Sequence, residues 1–131
     1  MKYKLYLFTC SNYELDKYYY YENEGNVSCI KIDSDNDKEE LYRKATGHVL
    51  ERFLDGMGDM DSHIIRYKRR DQRISYYTVD INKKRLIKRV DVDSNFSEYD
   101  KIVVRFYEKC IEVKTVGYGI GEATHLYRII R

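Results

Sequence analysis

Thirteen residues between positions 63 and 90 carry side chains suited to holding an anion. Arg66, Lys68, Arg69, Arg70, Arg73, Lys83, Lys84, Arg85, Lys88 and Arg89 supply charge, with Tyr67, Tyr76 and Tyr77 interleaved. Lys and Arg neutralise phosphates and release condensed counterions, and a tyrosine ring stacks on an unpaired base, so the mixture suits an RNA or single-strand binding sheet. It equally suits an acidic protein surface, because Arg and Tyr are the residues enriched at protein interfaces. The stretch holds ten of the chain's 24 Lys and Arg and two of its 22 acids, a segment charge of +8. Residues 1–62 sum to −5 and residues 91–131 to −1. Charge sorted in this way predicts a one-sided field, which the same net +2 spread evenly would not. The competing expectation is that these cations are simply solvated, or that they meet the acids of residues 33–61 in their own chain.

Other candidate chemistry is weaker. Asp55-Gly56-Met57-Gly58-Asp59-Met60-Asp61 has acids near a glycine but neither the alternation nor the closing Glu of a calcium loop. Gly117-Tyr118-Gly119-Ile120-Gly121 lacks the G-x-G-x-x-G spacing that opens a dinucleotide-binding helix and the Lys-Ser/Thr of a phosphate loop, so it reads as a hairpin turn. His48, His63 and His125 are far apart and have no ligand-spaced companions, which gives zinc and triad chemistry no local support. Cys10 lies in a turn-like stretch with no adjacent base to activate it. No catalytic residue, metal or cofactor is expected. The run Tyr18-Tyr19-Tyr20-Tyr21 places rings on both faces of a predicted strand and offers a second contact surface.

These residues need a scaffold, and 131 residues suffice for one domain spanning 1–131 with a conventional core. Fifteen tyrosines, four Phe and no Trp make the apolar mass unusually hydroxylated. The absence of proline leaves every turn to Gly, Asn, Asp or Ser. Three separated cysteines suit reduced thiols, and the N-terminus lacks the unbroken apolar core of a signal peptide, so a cytoplasmic protein away from membranes is expected.

Period-two alternation predicts strands over residues 2–9, 18–21, 27–32, 63–70, 73–81, 85–92, 101–108, 111–116 and 125–130, with the second folding back on the third. Between them, Leu41, Ala45, Val49 and Phe53 recur every four residues behind the cap-rich Ser34-Asp35-Asn36-Asp37, predicting one main helix over about 37–55. Gly47 within it implies either a close contact or a weak point. The expected fold is α+β: a mainly antiparallel, meander-rich sheet of about 7–9 strands packed with that helix.

The expected function is that of a small non-enzymatic binding protein, an inhibitor in its sharpest form. Its basic, Tyr-bearing β surface over 63–90 would engage a protein partner that itself handles nucleic acid. The first alternative is direct RNA or single-stranded nucleic-acid binding. The second is a small-ligand or nucleotide sensor or enzyme with its site between sheet and helix. Exposed tyrosines and strand edges also allow a homo-oligomer.

Overall fold

The computed structural model describes residues 2–11, 27–58, 62–71, 73–80, 82–93, 99–117 and 121–131. The predicted strand at 18–21 lies outside them. Strand β1 (Tyr3–Ser11) is followed by β2 (Val27–Asp35), helix α1 (Lys38–Phe53), then β3 (His63–Lys68), β4 (Ile74–Asp80), β5 (Arg85–Val92), β6 (Lys101–Phe106), β7 (Cys110–Gly117) and β8 (Gly121–Ile130). All eight strands form one antiparallel sheet in the order β2-β1-β8-β7-β6-β3-β4-β5. The predicted α+β class is what the chain adopts.

A single continuous meander is not. The sheet contains two three-stranded meanders, β3-β4-β5 and β6-β7-β8, and the chain leaves the outer strand β5 to place β6 beside β3. Residue chemistry explains the choice. β6 buries Ile102, Val104 and Phe106 and gains by having neighbours on both sides, whereas β5 reads Arg-Leu-Ile-Lys-Arg and tolerates an edge.

Helix α1 begins where Asp37 accepts a hydrogen bond from the Glu39 amide at 2.9 Å, with Glu39 and Glu40 favourably placed in the first turn. Its buried face, Leu41, Ala45, Val49 and Phe53, is the predicted stripe. It lies across β1, β2, β7 and β8, where Leu5, Leu7, Ile111, Val113 and Tyr127 complete the core. Each fully buried aliphatic side chain contributes about 1.5–3 kcal/mol. Gly47 has nothing within 4 Å of where a side chain would begin, so its role is the weak point and not the close contact.

The second half of the sheet is covered differently. After α1 the chain enters the left-handed region at Asp55 (φ 53) and Gly56 (φ 77), a conformation that Asp tolerates better than most residues and Gly adopts freely. That turn carries Met57 and Gly58 over Ile64 of β3. A Cβ on Gly58 would sit 2.3 Å from Ile64 Cδ1, so only glycine allows the approach. The first five residues of β5 are exposed.

Candidate functional site

The predicted binding residues fall into three groups, and strand geometry decides which. β3 ends at Lys68 instead of 70, because Arg69, Arg70 and Asp71 form a turn closed by the Arg69 amide donating to the Arg73 carbonyl at 2.8 Å. Arg66, Lys68 and Arg70 therefore do not form one exposed row. Arg66 pairs across to Ile102 and Tyr76, which puts it on the helix side of the sheet beside the core.

Arg66 and Tyr76 are the first group and are corrections to the expected surface. Both are buried, at 7% and 6% exposure. The Arg66 guanidinium donates to Asp55 at 2.9 Å through Nη2 and to the Tyr76 hydroxyl at 3.3 Å through Nε. The Tyr76 hydroxyl in turn donates to Asp55 in a short hydrogen bond. Burial, reinforced by the Asp55 carboxylate, pushes the Tyr76 hydroxyl above its ordinary pKa and keeps it a donor. The left-handed turn at Asp55 is what aims that carboxylate at the pair. This triangle ties the end of α1 to β3 and β4, and its charge is spent inside the molecule.

The second group is clasped at the surface. Arg69 pairs with Asp71 at 2.9 Å and Asp91 at 3.2 Å, Arg73 with Asp93 at 2.8 Å, and Arg89 with Asp91 at 3.0 Å. Asp91 also accepts from Ser75 at 2.6 Å, and that bond, followed by Arg89, holds its carboxyl below the usual carboxylate range. The Arg89 guanidinium lies 5.4 Å from the centre of the Tyr77 ring and covers one of its two faces. Only Asp55 among these acids comes from the 33–61 region; the others come from the β3-β4-β5 wing itself.

The third group is free. Among the described residues, Lys68, Arg70, Lys83, Lys84, Arg85 and Lys88 make no side-chain ion pair or hydrogen bond. Four of them gather at the β4–β5 turn, which Asp80 shapes by accepting from the Asn82 and Lys83 amides at 2.9 and 3.1 Å. Lys84 completes it at φ 50. Beside them Leu86 and Ile87 are 54% and 56% exposed. Ile87 is the extra residue of a bulge, since Thr78 pairs with Lys88 and Val79 with Leu86. It lines a cleft of about 320 Å³ with Met57, Ile64, Val90 and Lys88. Tyr67 is also exposed, on the sheet face away from α1.

Two polar clusters escaped sequence reasoning. His125 is buried beneath α1, its Nδ1 3.2 Å from Thr9 Oγ1, its Nε2 3.3 Å from Thr115 Oγ1, and its ring 4.9 Å from that of Phe53. Loss of hydration lowers its pKa to about 4, so it is neutral at pH 7. Nearby, His48 Nδ1 lies 2.6 Å from the Tyr127 hydroxyl, whose pKa burial raises. The available signal was alternation: His125 occupies an inward position between Ala123 and Tyr127 on β8. A second cleft, of about 590 Å³, runs between α1 and the β6–β7 turn, with Lys38, Glu39, Tyr42, Glu108 and Lys109 among its walls. Its charges are mixed. Among the described residues no three His, Cys, Asp or Glu converge on a metal-sized site, and no helix is long and apolar enough to cross a membrane. The tyrosine run 18–21, the whole of residues 59–61 and the centre of the 117–121 turn lie outside the described residues. No family model, curated protein or solved structure matches this chain.

Proposed function

We propose that this chain is a small non-enzymatic binding protein whose contact site is the β4–β5 turn and the start of β5, and that its target is an acidic protein surface. The observation that carries the reading is the cluster of Lys83, Lys84, Arg85 and Lys88, free of side-chain partners among the described residues, beside exposed Leu86 and Ile87. Adjacent aliphatic and cationic groups suit a protein interface, which combines apolar anchors with a charged rim. A phosphate backbone would use the cations and leave both aliphatics wet. In its fullest form the reading is of an inhibitor that covers an acidic region of a partner which itself handles nucleic acid.

Cross-linking from a photoreactive residue at position 86, after nuclease treatment, tests it. A specific adduct is expected for the native chain and for Arg69→Glu. It should vanish when Lys83, Lys84, Arg85 and Lys88 are all changed to Glu. Titration with a single-stranded oligonucleotide tests the competing form. A steep fall of log affinity with log salt, flattened by that fourfold reversal, would replace the protein target with nucleic acid.

A further inference from the structure

A strand at the end of a sheet presents backbone N–H and C=O groups with no ladder partner, and proteins blunt such edges with brevity, proline, bulges or charge. β5 is eight residues long, above the usual five or six. The chain has no proline to place there. Among the described residues β5 pairs with β4 alone. The bulge at Ile87 twists its beginning, but Lys88, Arg89, Val90, Asp91 and Val92 stay in regular register with β4 and so form a template for one more strand.

Side chains on this edge select what it accepts. β5 carries Arg85, Lys88 and Arg89 against Asp91, and Lys83 and Lys84 extend the positive charge around the turn. Two copies joined edge to edge would each bring this excess of cations to one seam, and like charges facing each other across a ladder destabilise it. An acidic strand meets the opposite situation. On the helix side of the edge, the cleft between Met57, Ile64, Ile87 and Val90, with Lys88 at its rim, has room for an aliphatic side chain beside a carboxylate. Resting on the assignment of the basic turn to an acidic protein target, the geometry points to strand addition. An extended segment of the partner, alternating acidic and aliphatic residues, hydrogen-bonds along β5 as an added strand and seats one aliphatic side chain in that cleft. Main-chain bonds supply affinity in this mode, and the pocket and the charges supply specificity.

The probe is a synthetic peptide of alternating Glu and Val, compared with the same sequence N-methylated at every second residue on its donor edge. The full-length protein, isotopically labelled, is titrated with each. The unmodified peptide is expected to shift and protect backbone amides of β5 from exchange, and N-methylation is expected to weaken binding by about tenfold or more. Changing Lys83, Lys84, Arg85 and Lys88 to Glu should also weaken it about tenfold, with Tm unchanged. Equal binding of the N-methylated peptide overturns strand addition and leaves the acidic-target reading standing. Peptide binding that survives the charge reversal overturns that reading as well. Absence of binding at millimolar peptide, or contacts between the β5 strands of two copies in the free protein, also overturns the proposal.

Discussion

The inner end of the basic hairpins and their tip have similar composition and opposite electrostatic character. At the inner end, Arg66, Arg69, Arg73 and Arg89 are met by Asp55, Asp71, Asp91 and Asp93. At the tip, Lys83, Lys84, Arg85 and Lys88 are met by no side chain among the described residues. A planar guanidinium with several donors is well matched to carboxylates, and every clasped cation here is an arginine; three of the four free tip cations are lysines. The unclasped part of the +8 segment is therefore four cations at the β4–β5 turn with Lys68 and Arg70 at the β3–β4 turn, and not a continuous basic face. The contrast also separates structural cations from those available to a partner.

The largest effect that would break the contrast is at its buried extreme. Arg66→Ala removes a buried guanidinium and leaves Tyr76 and Asp55 without it, with an expected loss of about 3 kcal/mol, seen as a lower midpoint in urea. Asp55 is 61% exposed on its side chain, so solvent screens the pair and Asp55→Asn should cost less, about 1–2 kcal/mol.

Acid should act through the core before it acts on the clasps. His125 has a folded pKa of about 4 against 6.5 when unfolded, so the unfolded chain binds the extra proton between those values. Its contribution is complete above pH 6.5 and declines as pH falls towards 4, by about 3 kcal/mol at most. His125→Gln should flatten the stability profile over that window. Asp91, held low by Ser75 and Arg89, contributes stability present above the ordinary carboxylate pKa of 3.8 and lost only below it. Denaturant midpoints across pH distinguish the two regions.

Smaller effects complete the series. Gly47→Ala should stabilise the protein by about 1 kcal/mol, because the position is helical and open. Changing the four tip cations to Glu should move stability by less than about 0.5 kcal/mol, since their side chains hold no partner among the described residues. A large stability loss there would show that the tip is structural and erase its difference from the inner end.

Much of the fold was legible because its signals are local. The Asp37 cap, the Leu41-Ala45-Val49-Phe53 stripe and the alternation of β3 to β8 each depend on neighbours within one or two turns of chain. Alternation also announced that Arg66 and Lys68 share a face. It did not announce which face, because register inverts the meaning of every position on a strand. Arg66 faces the core only because β3 pairs with β6 through Ile102 and Val104, strands separated by more than thirty residues in the chain.

By itself, the sequence determined the strands and the helix seen among the described residues, the predominantly antiparallel class, and the segment in which positive charge is concentrated. Tertiary structure alone decided the strand order that makes β5 an edge, the left-handed turn that brings Asp55 to Arg66, and the packing that brings Arg69 to Asp91, which Arg89 already neighbours two residues away on β5. The reason is range. Hydrophobic periodicity is written in consecutive residues, whereas the neutralisation of a charge depends on which distant strand lies within about 4 Å of it.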